Sequence, residues 1–256
     1  MEECPVGCDC RNTRNIKCTN QTFIQEFPAR MVIEELIITD SNIPIVSLSS
    51  FFRFADLLSL SLTNCNISYL RSADVWDMDI LIRLDISSNN LTYIVSGTFM
   101  KCPDLLEINL ENNPLVELKS LSPVLISDSL MYLSMKNCQL TKFSKLSFSK
   151  LPNLVYLDLS DNKIISLGGV PIRNILRKLV MLSLGNNNNW NCRSLVLQLK
   201  NCSSIQPSMR CVDDDGNGAI HKCKSKHQID VNYVGIKRRY SFKWYDFLKK
   251  IGEILF

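Results

Sequence analysis

Apolar and polar positions recur along this chain in blocks of nearly constant length. Seven segments fit L-x-x-L-x-L-x-x-N/C-x-L, starting at Ile33, Leu57, Leu81, Leu105, Leu130, Leu154 and Leu179, with steps of 24, 24, 24, 25, 24 and 25 residues. Leu81, Leu84, Ile86, Asn89 and Leu91 make one such segment; Leu154, Leu157, Leu159, Asn162 and Ile164 make another. Inside each, the middle apolar pair alternates, as in Leu60-x-Leu62 and Leu157-x-Leu159. A period of two places both side chains on one face of a short strand. A single unit has nothing to bury that face against, so neighbouring units must stack and share a continuous core.

The ninth position holds Asn89, Asn113, Asn162 and Asn187, or Cys65 and Cys138, with Ser41 in the first unit. A small polar side chain at this bend is suited to hydrogen-bond backbone groups that the turning chain leaves unpaired. The second halves are looser, as in Phe99-x-x-Cys102-Pro103-x-Leu105 and Phe148-x-x-Leu151-Pro152-x-Leu154. Their apolar residues are expected to fill the core from the convex side, in short helical turns or irregular loops. A repeat of this length is the signature of a leucine-rich repeat solenoid. The predicted fold is therefore an α/β solenoid with a curved parallel sheet, one strand per repeat, on its concave face.

Composition adds bounds. The chain has 256 residues, 46% of them apolar, which is ample for a core, and no apolar run approaches the roughly 18 residues that a membrane helix needs. Met1-Glu2-Glu3 leads into Cys4 without an apolar stretch, so no secretory signal is visible. A trimmed chain with an added Met begins this way, and so does a cytosolic one; the cysteines decide between them. Cys4, Cys8, Cys10 and Cys18 precede the repeats, and Cys192, Cys202, Cys211 and Cys223 follow them, each an even group as disulfides require. Cys65, Cys102 and Cys138 occupy template slots and read as small core residues. Cys8-x-Cys10 and the wide later spacings do not form the paired knuckles of zinc sites, even with His221 and His227 near Cys223. Disulfides place the chain in an oxidising compartment, secreted or at the cell surface. Four N-x-S/T sequons, at Asn20, Asn66, Asn90 and Asn201, fit glycosylation there; the alternative is unmodified loop residues.

The cysteine groups carry a family resemblance. Cys4-Pro5-x-x-Cys8-x-Cys10 with Cys18, followed by Phe23, Phe27 and Pro28, resembles the N-terminal cap of extracellular leucine-rich repeat proteins. Asn189-Trp190-Asn191-Cys192 and three later cysteines resemble the C-terminal cap, except that Ser194 stands where a second close cysteine is usual. Between about residues 4 and 223 the chain is similar to Toll-type receptor ectodomains, Slit-like guidance proteins, variable lymphocyte receptors and insect immune repeat proteins. The resemblance implies bridges Cys4–Cys10, Cys8–Cys18, Cys192–Cys211 and Cys202–Cys223, with Trp190 over the last repeat. It also implies a binding module in innate immunity; adhesion or developmental signalling is the alternative. The expected organisation is a cap at 1–32, seven repeats at 33–188, a second cap at 189–223 and a basic tail at 224–256.

In this register the second, third, fifth, seventh and eighth template positions carry side chains toward or beside the concave face, the second being mostly apolar. The candidate binding residues are Arg83, Glu107, Glu111, Tyr132, Lys136, Tyr156, Asp158 and Met181. Tyr132 and Tyr156 beside Lys136 and Asp158 form the best patch, since tyrosine offers large contact area with little rotamer entropy to lose. The alternative is cross-strand stacking with no ligand. In the resembling family Asp85 and Asp158 are common scaffold residues. No catalytic set, phosphate loop or calcium loop is expected: Asp213-Asp214-Asp215-Gly216 lacks the spaced acids and closing Glu. Neither an enzyme, a cofactor, a metal nor a nucleic-acid partner follows.

Residues 222–256 hold nine Lys/Arg against three acids, a net +6, which leaves −2 for the rest of a chain at +4. From Tyr240 to Phe256 the residues Trp244, Leu248, Ile251 and Leu255 share one helical face, opposite Lys243, Asp246, Lys249, Lys250 and Glu253. Docking on the cap, a homo- or heterodimer through this helix, or contact with an anionic membrane are the readings, with partner or self docking favoured. Lys237-Arg238-Arg239 adds a glycosaminoglycan alternative, a matrix protein bound through the tail.

Overall fold

The computed structural model describes residues 4–12, 14–24, 31–51, 54–71, 78–116, 123–142, 146–164, 179, 181–187, 190–191, 209–212 and 218–221. All belong to the compact unit Met1–Ser225. The basic tail, Asn201, Cys192, Cys202 and Cys223, and the cap residues Phe27 and Pro28 lie outside them.

Alternation makes the strands, and stacking makes the sheet. Strands β1 (Cys8–Asp9), β2 (Asn15–Thr19) and β3 (Glu35–Thr39) open the chain, followed by β4 (Ile45–Ser47), β5 (Ser59–Thr63) and β6 (Tyr69–Arg71). Strands β7 (Arg83–Asp85), β8 (Glu107–Asn109), β9 (Tyr132–Ser134), β10 (Tyr156–Asp158) and β11 (Met181–Ser183) continue the repeats. The main sheet has the order β1-β2-β3-β5-β7-β8-β9-β10-β11. It is parallel from β2 to β11, and only the β1–β2 pair is antiparallel. Register is fixed at one repeat per step, as in Glu35↔Ser59, Arg83↔Glu107 and Tyr132↔Tyr156. A one-residue slip would turn every leucine outward.

The core is a single cluster. Leu36, Leu60, Leu84, Ile108 and Leu133 are fully buried at the fourth position, and Ile38, Leu62, Ile86, Leu110 and Met135 at the sixth. Phe51, Phe99 and Phe148 close it from the other side. The 3-10 turn Leu48–Phe51 is the one helical element among the described residues, so the convex segments are mostly hydrogen-bonded turns. On this flank β4 and β6 form a two-stranded parallel sheet. Strands β12 (Trp190–Asn191), β13 (Met209–Val212) and β14 (Gly218–His221) form a third sheet, with Trp190 paired to Cys211.

The N-terminal cap is cross-linked by Cys4–Cys10 and Cys8–Cys18, the pairing that the resemblance implies. Gln21, rather than an aromatic ring, fills its interior: it is 3% exposed, and its amide nitrogen donates to Val6 O and Thr19 O. Phe23, part of the cap resemblance, is not buried. It projects into solvent, 57% exposed, because Gln21 and the Cys8–Cys18 bridge already occupy the space. Gly7 (φ +77°) is required here, since a Cβ would stand 2.6 Å from Gln21 Nε2 and from Thr19 O.

Candidate recognition face

The eighth template position, Asp40, Asn64, Ser88, Asn112, Asn137, Asp161 and Asn186, has a left-handed backbone in every repeat. Asn and Asp tolerate that region better than other residues with a Cβ, and this reverses the chain at the end of each strand. The ninth residue then points into the core. Asn89 donates from its amide nitrogen to Leu62 O, Ile86 O and Ser87 O, and its oxygen accepts from the amides of Cys65 and Ile67. Asn162 repeats this against Met135 O, Leu159 O, Ser160 O, Cys138 N and Leu140 N. These bonds tie each turn to the one before it and hold the strands at constant spacing. The opposite face of the sheet is thereby rigid.

The candidate side chains fall on that face in three groups. Arg83 Nε lies 2.8 Å from Glu107 Oε2 in the next strand. Lys136 Nζ lies 3.2 Å from Glu111 and 3.6 Å from Asp161, an eighth-position residue outside the predicted set. The hydrogen bond to Glu111 raises the Lys136 pKa, so its charge is secure. The third group is Tyr132 and Tyr156, paired in register with ring centroids 6.1 Å apart and planes 35° apart. Asp158 accepts from the backbone amide and hydroxyl of Ser160 at 2.8 and 2.6 Å, which fixes its carboxylate beside Tyr156. Burial, followed by the charge of Asp158, pushes the Tyr156 hydroxyl up to about 12, so it stays a neutral donor. Met181 is the next residue in this row by register.

The tyrosine pair thus packs across strands and is half-buried. The face is acidic: Glu35, Asp40, Asp85, Glu107, Glu111, Asp158 and Asp161 stand against Arg83 and Lys136 at the third, fifth, seventh and eighth positions. Asp85 is engaged with its own turn, accepting from the Ser87 amide at 2.9 Å. Asp161 and Ser160 stand at ligand-side template positions but outside the candidate set, because the repeat pattern does not say which polar neighbours pair with one another. Among the described residues no group of His, Cys, Asp and Glu is arranged to hold a metal, and no helix is long and apolar enough to cross a membrane. Asn20, Asn66 and Asn90 are exposed. Of Cys211 and Met181 only the backbone is described.

Comparison with known proteins bears on the fold. The Leucine Rich Repeat family model matches residues 153–175. No curated protein matches the chain by sequence. The crystal structure of human 5T4 (Wnt-activated inhibitory factor 1, trophoblast glycoprotein) is similar at TM-score 0.63 and 22% identity, over 86% of this chain and 96% of that one. The leucine-rich repeat domain of APL1B aligns at TM-score 0.44 and 19% identity, over 65% and 53%. With the sheet order and register above, the repeat match and the likeness to 5T4 make the fold a leucine-rich repeat solenoid.

Proposed function

We propose that this chain is an extracellular recognition module that holds a protein or glycan ligand on the open face of its sheet, centred on β9 and β10. The single observation that carries this is the Tyr132–Tyr156 pair, which presents two rings on a rigid lattice between oriented charges. A preordered aromatic pair costs little entropy on binding, so its contact area converts well into affinity. Arg83, Glu107, Glu111, Lys136, Asp158 and Met181 form the surround that sets specificity. The extracellular assignment rests on the bridged N-terminal cap. On this reading the C-terminal cap carries Cys192–Cys211 and Cys202–Cys223, and innate immune recognition is the setting its family resemblance implies. The repeats span 33–188, and the tail at 224–256 is a separate docking element.

The test is capture of partners from the extracellular medium by the secreted chain, repeated with Tyr132→Ala combined with Tyr156→Ala. Loss of two hot-spot side chains is expected to weaken capture at least about tenfold, while the melting temperature moves by only a few degrees. Capture at full strength removes the tyrosine pair from the binding site.

A further inference from the structure

Three of the four sequons share a feature with no role in the repeats. Asn20-Gln21-Thr22 is followed by Phe23, Asn66-Ile67-Ser68 by Tyr69, and Asn90-Leu91-Thr92 by Tyr93. Aromatic residues are 8% of the chain, so three such coincidences are not what random placement produces. Asn66 and Asn90 hold the tenth template position, and its other occupants show that the repeat does not demand a ring there: Asn42, which lacks the sequon hydroxyl, is followed three residues on by Ile45, and Pro114, Gln139 and Lys163 by Glu117, Lys142 and Ser166.

The exposure pattern is also shared. In each case the asparagine is exposed, the next residue is buried (Gln21, Ile67, Leu91), and the ring remains open to solvent in whole or part. Tyr69 and Tyr93 pair at 6.0 Å between centroids, next to Ile45, which is 62% exposed and in register with Tyr69. The result is an apolar strip on the flank, with Asn42, Asn66 and Asn90 chained alongside. Asn66 Nδ2 donates to Asn42 Oδ1 at 2.8 Å, and Asn90 Nδ2 donates to Asn66 Oδ1.

We propose that Asn20, Asn66 and Asn90 carry N-linked glycans whose first sugars lie over Phe23, Tyr69 and Tyr93, those on Asn66 and Asn90 closing this flank and leaving the sheet face open. The proposal rests on the extracellular reading, because the sugar donor belongs to the secretory pathway. In the transfer the side-chain amide nitrogen attacks the anomeric carbon of a lipid-linked oligosaccharide. An N–C bond forms, the C–O bond to the lipid pyrophosphate breaks, and one amide proton is lost with that leaving group. The nitrogen keeps its second hydrogen, so the Asn42–Asn66–Asn90 chain survives modification. Three residues span at most about 10 Å, so a sugar on each asparagine reaches its ring. The electron-rich ring face then meets the C–H face of the pyranose. The Phe23 ring, which the filled cap leaves in solvent, is open to the sugar on Asn20.

The experiment is peptide mapping and tyrosine nitration of the full chain secreted from a eukaryotic host. Glycans are expected at Asn20, Asn66 and Asn90. In Asn66→Gln and Asn90→Gln, nitration of Tyr69 and Tyr93 respectively is expected to rise at least fivefold, with Tyr132 unchanged as the internal reference. Unmodified asparagines in the secreted chain, or equal nitration with and without the sugars, overturns the proposal. Neither result touches ligand capture through Tyr132 and Tyr156, which is read separately.

Discussion

Two rows of asparagines run side by side through this solenoid, one residue apart in sequence, and they do different work. The ninth-position row (Asn89, Asn113, Asn162, Asn187) is buried and bonds only to backbone, spanning two turns at a time. The eighth-position row is exposed and bonds side chain to side chain: Asn64 to Asp40 at 2.6 Å, Asn137 to Asn112 at 2.8 Å, Asn186 to Asp161 at 2.7 Å. In the first row water cannot replace a lost partner, and in the second it can. The same amide therefore counts heavily in one column and little in the next.

Substitutions can separate the two rows by size of effect. Asn89→Ala strands the amides of Cys65 and Ile67 in the core and takes a donor from three carbonyls, of which Ile86 O and Ser87 O keep Asn113 and Asn64 as donors. It is expected to cost about 3 kcal/mol in urea unfolding, a fall of roughly 6–12 °C in melting temperature. A loss below about 1 kcal/mol would make the rows equivalent. Cys65→Ala probes an intermediate case. The thiol donates to Ile38 O and Thr63 O at 3.3 Å, while Cys65 O and Asn64 O meet the amides of Ile43 and Ser41 in the preceding turn. Its removal is expected to cost about 1–2 kcal/mol. Asn112→Ala tests the outer row, where backbone φ of 57° and not the exposed hydrogen bond is the constraint. It is expected to cost about 1 kcal/mol, and Asn112→Gly to stay within about 0.5 kcal/mol of the parent. If glycine is as harmful as alanine, the side-chain chain itself is what matters.

Cysteine turns show how the backbone compensates. Among the described residues a left-handed tenth position occurs only at Asn66 and Gln139, each directly after a ninth-position cysteine. A thiol does not match the two-amide acceptance of an asparagine oxygen, and the Cys65 turn swings its own carbonyls into that place.

The core positions were legible because burial in a stacked repeat is periodic: Leu36, Leu60 and Leu84 have one reason to be apolar. The ninth-position residues were legible because a turn facing the core must satisfy its backbone. Left-handed geometry at the eighth position was in plain view as Asp40, Asn64, Ser88 and Asn112, but a search for ligand-facing side chains does not ask about φ. The filling of the N-terminal cap was not legible, because Gln21 is polar and is held there by two hydrogen bonds to backbone carbonyls. The tyrosine patch was placed by register, but its link to Asp158 through Ser160, and that of Lys136 to Asp161, depend on rotamers that no sequence pattern encodes.

Cys65, Cys102 and Cys138 bear on how eleven cysteines coexist in one chain. All three are buried and free, and burial pushes their thiols up to about 11, 11 and 12. Disulfide exchange proceeds through the thiolate, which at neutral pH is then about one part in ten thousand or less. Once the turns have closed, these three sulfurs drop out of the redox traffic and do not compete for the Cys4–Cys10 and Cys8–Cys18 bridges.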